Sequence, residues 1–300
     1  MSDGVELAVR GAHTLGMPGA CHRLAREAED AVRQGREGAV GWGGYRLATH
    51  FQPIFHVRAA KVFGYEALAR AEDGALGAQV PPAQVFADAH GGDRVRLDWI
   101  CRALHLRNFA IVDHGDHVLF LNVHPEAVLN DARCATEFGG LVRYYGLSPS
   151  RVCVEILEKH CTDEGVLREA VAVYRDLGVT IAMDEFGVGG SNFDRIASLR
   201  PDIVKIDRAL LVSAVGQDKA RDALPVLVRL LRDSGAKVAA QGIESADQAL
   251  LALDSGADYL QGSYFARPRP SLVDEAFSER ILQELLRMRG GRSAARALVG

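Results

Sequence analysis

From Tyr45 onward the chain alternates short apolar runs with longer amphipathic segments, and this alternation restricts the fold more than any other feature of the sequence. Strands are predicted near 46–57, 61–68, 117–123, 151–157, 179–184, 203–207, 237–242 and 257–262. Helices are predicted around 126–146, 164–177, 191–199, 218–234 and 245–254. Gly146, Gly178, Gly235 and Gly256 stand where helix C-caps belong, each just before a strand. About eight strands in roughly 220 residues, most of them followed by a helix, fit a closed TIM-like (β/α)8 barrel better than an open sheet. The link from Val57 to Val62 is too short for a parallel crossover, so the first two strands are expected to pair antiparallel. A long helical stretch from Pro82 to Asn108 then leads to the third strand.

The main domain is therefore expected over 45–270, after an N-terminal extension (1–44) with a short helix over Cys21–Arg36. Residues 271–300 read as an amphipathic helix, Leu272 to Met288, followed by an Arg-Gly-Gly-Arg linker or frayed tail at 289–292. A content of 48% hydrophobic and 25% charged residues excludes disordered and fibrous classes. The net charge of -4 and the lack of a long basic run argue against a surface that coats a nucleic acid polymer, but leave room for a nucleotide-sized ligand. No apolar run approaches the ~20 residues of a membrane span and no signal peptide is readable, so a cytoplasmic protein without a membrane partner is expected. The five cysteines are odd in number, scattered and without a C-x-x-C pair, which argues against disulfides and a zinc knuckle and for reduced thiols in the core.

The stretch Thr180–Asn192 ends a strand in two adjacent acids, Asp184 and Glu185, and runs into glycines. Acids at the mouth of an apolar strand repel each other and lose hydration unless a positive charge sits among them, which points to a metal ion. In a barrel the C-terminal strand ends build the active site. Here they carry Glu66; Asn122; Glu155 and Glu158; Asp184 and Glu185; Lys205 and Asp207; Gln241 and Glu244; and Gln261. Carboxylates and an amide, without a spaced His or Cys pair, are hard donors that suit Mg²⁺, Mn²⁺ or Ca²⁺ rather than zinc. Two such ions bridged by Asp184 would clamp an in-line displacement at phosphorus. Lys205 would orient the attacking water, and Arg70 would grip a phosphate. The competing reading makes Lys205 an internal ion pair with Asp184 or Glu185. Gly187-Val188-Gly189-Gly190 lacks dinucleotide-loop spacing and reads as a lid or interface loop, while His56, His124 and His160 read as rim or core residues.

These motifs resemble the EAL domain family, bacterial phosphodiesterases that linearise cyclic di-GMP to pGpG. The resemblance rests on Gln52-Pro53-Ile54, Tyr65-Glu66-Ala67-Leu68-Ala69-Arg70, Leu121-Asn122-Val123, Val154-Glu155-Ile156-Leu157-Glu158 and Asp184-Glu185-Phe186-Gly187-Val188-Gly189. Val204-Lys205-Ile206-Asp207, Ala240-Gln241-Gly242-Ile243-Glu244, Gln261-Gly262 and Arg267-Pro268 complete the order over roughly 45–270. The resemblance implies a barrel with an antiparallel first strand and Mg²⁺ or Mn²⁺ at a two-metal site, with Ca²⁺ non-productive. It implies metal ligation by Glu66, Asn122, Glu155 and Asp184, with Glu185 in reach, and a water held by Lys205. Gln52, Leu68, Arg70 and Gln261 would hold the dinucleotide.

Three positions depart from the family pattern: Glu185 for its second aspartate, Leu157 for threonine, and Gln241 for the first glutamate of Ala-Glu-Gly-Val-Glu. An amide cannot act as a general base, so hydrolysis is expected to be weak or lost. A cyclic di-GMP receptor, a working phosphodiesterase in which Glu185 or Glu244 replaces Gln241, and a ligand-free protein-interaction module remain open. A homodimer through the loop Gly187–Arg195 is expected by analogy.

Overall fold

The computed structural model describes residues 19–90, 92–157, 164–187 and 193–299, without the side chains of 129–132 and 291–299. Glu158, His160, Cys161 and the loop residues 188–192 lie outside the described residues. The chain divides into two compact units, one holding the described residues up to His50 with Ala67–Thr180, the other Phe51–Glu66 with the residues from Ile181 on.

The first unit contains β1 (Ala39–Trp42), the start of β2 (Tyr45–His56), the end of β3 (Lys61–Asp73), β4 (Gln79–Val80), β5 (Val118–Val123) and β6 (Val152–Leu157). β1 pairs antiparallel with β2, β4 antiparallel with β3, and β5 parallel with β6. The β5–β6 register sets Asn122 opposite Glu155. Behind these strands lie the helices Asp93–Val112, Pro125–Tyr144 and Glu164–Asp176, whose buried faces carry Trp99, Leu106, Phe138, Leu167 and Tyr174. Burying such side chains contributes roughly 1.5–3 kcal/mol each. Arg102 is fully buried there, paired to Asp98 at 2.5 Å and stacked 4.8 Å from the Trp99 ring, so its charge is not left uncompensated.

The second unit holds β7 (Thr180–Phe186), β8 (Ile203–Ile206), β9 (Lys237–Ala240) and β10 (Tyr259–Leu260), hydrogen-bonded in that order, with β10 pairing β2. β7–β8, β8–β9 and β9–β10 are parallel, whereas β10 meets β2 antiparallel. The expected reversal of the first barrel strand is thus present, and β2 also pairs with β3. These strands are apolar on both faces because helices such as Asp218–Asp233 and Ala246–Asp254 cover them. The C-terminal helix Glu275–Val299 is tied to β3 by Tyr65 Oη–H donating to Glu275 Oε1 (3.1 Å) and Val62 N–H to Glu279 Oε1 (3.2 Å).

The four predicted cap glycines all have positive φ (Gly146 79°, Gly178 85°, Gly235 98°, Gly256 88°), the left-handed turn that ends a helix before a strand. Several sequence expectations are corrected. Residues 35–44 contain strand β1 rather than only a break, and a helix over Arg208–Gly216 was not foreseen. The C-terminal helix continues through Arg289–Arg292, where a linker or frayed tail was expected. Cys21 and Cys134 form a disulfide, so the expectation of reduced thiols fails for this pair; Cys101 and Cys153 are free and buried, as expected. Packing of the Ala20–Gln34 helix on Pro125–Tyr144 brings residues 113 apart in sequence to a Cα–Cα distance of 5.1 Å, a pairing that spacing cannot reveal.

His105 is buried in the first unit with its Nδ1 2.8 Å from Thr49 Oγ1, and burial lowers its pKa from 6.5 to about 4. Because the folded pKa lies below the unfolded one, this group's stability contribution is complete above pH 6.5 and is lost as pH falls toward 4. Denaturant unfolding at pH 7.5 and 4.5 should show wild type losing about 2–3 kcal/mol more than His105→Gln, which does not titrate. Equal losses in both proteins would refute a neutral buried imidazole.

Candidate functional site

The second unit gathers six of the sequence-designated side chains into one group joined by hydrogen bonds and ion pairs. Lys205, on β8, is fully buried and its Nζ–H donates to Glu66 Oε2 at 2.8 Å, with Asp184 Oδ1 at 4.0 Å. Gln261 Nε2 donates to the same Glu66 oxygen at 2.7 Å and approaches Gln52 Oε1 at 3.5 Å, while Gln52 Nε2 donates to the Ala266 carbonyl at 3.2 Å. Gln241 Nε2 donates to Asp184 Oδ1 at 2.7 Å, and the Glu185 backbone N–H reaches that same oxygen, also at 2.7 Å. Two buried carboxylates therefore share one ammonium, which offsets one of their two charges, and are held in place by two amides. Burial pushes the Asp184 pKa up, the Lys205 charge pulls it down, Glu66 pushes it up, and the N–H groups of Glu185 and Gln241 pull it down; the net direction is upward.

Local backbone explains these placements. Glu185 has φ 55°, a left-handed conformation uncommon for glutamate and better tolerated by aspartate, and the β7–β8 register shifts between Met183 and Phe186 around it. The kink aims Asp184 inward and leaves Glu185 half-buried. Gly262 is required by packing, because a Cβ there would meet the Ile243 carbonyl oxygen at 2.0 Å.

Other designated residues are engaged elsewhere. Glu244 is exposed and paired with Arg208 at 2.5 Å, a partner the sequence reading missed although it directly follows Val204-Lys205-Ile206-Asp207. Asp207 caps the Arg208–Gly216 helix, accepting from Ala209 N–H at 2.8 Å. His56 accepts from Ala59 N–H at 3.0 Å, and His124 caps the Pro125–Tyr144 helix with its ring stacked on Phe86. In the first unit, Glu155 is fully buried and Asn122 exposed at adjacent register positions. Leu68 is half-buried there, and Arg70 donates to the Ala69 carbonyl at 2.8 Å.

Among the described residues no three His, Cys, Asp or Glu side chains converge as a ready metal cluster, and Lys205 stands with Glu66 and Asp184. The donor chemistry nonetheless fits a hard divalent cation. Glu66 and Asp184 are buried carboxylates, and Gln261 Oε1 is a buried acceptor without a hydrogen-bond partner.

The EAL domain family matches residues 42–268. The chain belongs to this family. It is 31% identical over 232 residues to the EAL-domain containing protein YkuI of Bacillus subtilis, covering 75% of this chain and 56% of that protein. It is 27% identical over 226 residues to the cyclic di-GMP phosphodiesterase RocR of Pseudomonas aeruginosa, covering 74% and 57%. The crystal structure of YkuI with cyclic di-GMP and calcium superposes at a TM-score of 0.73 with 26% identity, covering 84% of this chain and 63% of that one. The fold is accordingly the TIM-like barrel of EAL proteins expected from the strand–helix alternation. The chain spans from about a third to just over a half of the length of the curated relatives it matches.

Proposed function

We propose that this EAL domain binds cyclic di-GMP with a divalent cation and hydrolyses it to pGpG slowly or not at all. The observation that carries this reading is the hydrogen bond from Gln241 Nε2 to Asp184 Oδ1. Where the family pattern has a carboxylate able to take a proton from the attacking water, this chain presents an N–H that already points at the neighbouring acid. Glu66, Asn122, Glu155 and Asp184 would hold Mg²⁺ or Mn²⁺, with Glu185 in a shifted place; the cation would supply Lewis-acid stabilisation of charge at phosphorus. Lys205 would orient water, and Gln52, Leu68, Arg70 and Gln261 would position the dinucleotide. A fully active enzyme would need another base, and the pairing of Glu244 with Arg208 disfavours that residue. The reading includes a cytoplasmic homodimer; among the described residues no helix is long and apolar enough to cross a membrane.

Calorimetric titration with cyclic di-GMP in Ca²⁺, followed by turnover assays in Mg²⁺ and Mn²⁺, tests the proposal. Saturable binding with turnover at least ~10²-fold below an EAL enzyme that keeps the glutamate is expected. Glu66→Ala should weaken metal-dependent binding at least ~10-fold. No heat of binding would leave the interaction module as the surviving reading.

A further inference from the structure

The Cys21–Cys134 disulfide belongs to none of the catalytic or binding assignments above, and Cys21 lies outside the residues the EAL family matches. It fastens the first turn of the helix Ala20–Gln34 to the middle of the helix Pro125–Tyr144. Beyond the helix's packing on Asp93–Val112, where Glu27 pairs with Arg96 at 3.0 Å, the described residues give that first turn little else to hold it. Its N-cap is Gly19 with no side-chain cap hydrogen bond, and no acidic residue offsets the positive end of the helix dipole. Of the five buried residues on the helix, three are alanines, with only Leu24 and Val32 contributing larger apolar side chains. The C-terminal end is secured independently: Gly35 N–H bonds back to Ala31 and Val32, and β1 then joins β2.

We infer that Cys21–Cys134 is a thiol-exchange site at which a dithiol reductant releases the N-terminal turns of this helix. Cys21 is half-buried whereas Cys134 is 1% exposed, so a reductant thiolate attacks Cys21 Sγ. An S–S bond forms between reductant and Cys21, the Cys21–Cys134 bond breaks, and Cys134 leaves as a thiolate that takes a proton. The second thiol of the reductant then closes its own disulfide and frees Cys21, which is protonated in turn. The protein gains two electrons and two protons, and the dithiol is oxidised to a cyclic disulfide. Exchange is confined to this pair among the described cysteines, since Cys101 and Cys153 are buried and burial raises the Cys101 thiol to about 12.

Non-reducing peptide mapping of the air-oxidised full chain should recover linked Cys21 and Cys134 peptides. Hydrogen exchange, with and without dithiothreitol, should then show amides of 21–28 exchanging at least ~10-fold faster after reduction while β8 is unchanged. Cys21→Ser and Cys134→Ser should show the fast exchange in both conditions, and if neither variant folds, the wild-type comparison alone decides. Absence of the linked peptides, or equal protection of 21–28 in the oxidised and reduced protein, overturns the inference.

Discussion

The Gln241→Glu variant is expected to turn over cyclic di-GMP at least ~10-fold faster than wild type in Mg²⁺ or Mn²⁺ if a missing general base limits the reaction. The same change should destabilise the metal-free protein. Gln241 Nε2 now donates to Asp184 Oδ1 at 2.7 Å, so a carboxylate in its place would face a buried acid instead of bonding to it. Like charges so close disfavour each other's ionised form, a penalty on the order of 1–3 kcal/mol. Mn²⁺ should remove that penalty, raising the melting temperature of the variant more than that of wild type. Gln241→Leu is the control: it loses the hydrogen bond without gaining a base, and its rate should not rise. An already fast wild type whose rate is unchanged in Gln241→Glu would sink the assignment of Gln241 as the limiting position.

Barrel strands and the polar side chains at their ends are legible in the sequence for one physical reason. A strand–helix repeat needs a left-handed residue where each helix turns into the next strand, and glycine supplies it, as at Gly178 and Gly235. With strand ends located, polar residues such as Glu66, Asp184, Lys205 and Gln261 stood out against apolar strand interiors. What stayed hidden depends on tertiary contacts. β1 lies within a stretch that includes Gly41, Gly43 and Gly44, and its identity comes from pairing with β2 rather than from local preference. The Arg208–Gly216 helix buries only Leu211 and Ala214 and shows no clear apolar period. The left-handed backbone of Glu185, the amide of Gln241 turned toward Asp184, and the capture of Glu244 by Arg208 are orientations, which residue identity does not specify. Of the two readings offered for Lys205, the structure displays the ion pair. The nearer partner is Glu66 rather than Asp184 or Glu185, and Lys205 remains on the strand end where water activation was expected.

The ion pair makes Lys205→Met the most destabilising single change anticipated. Methionine fills similar volume but removes the ammonium shared by Glu66 and Asp184, leaving two carboxylates at 7% exposure without their counter-ion. Breaking a buried ion pair from one side costs about 3–5 kcal/mol, more than the pair itself contributes over an apolar replacement. Lys205→Met should therefore lower unfolding stability by about that amount without metal, and combining it with Glu66→Gln should recover a substantial part, since only Asp184 then remains charged. A divalent cation should stabilise Lys205→Met more than wild type, because the vacated charge is the one such an ion would supply. If the variant instead unfolds like wild type and gains nothing from Mn²⁺, Lys205 does not neutralise these acids in solution. The electrostatic account of the site would then fail at its centre.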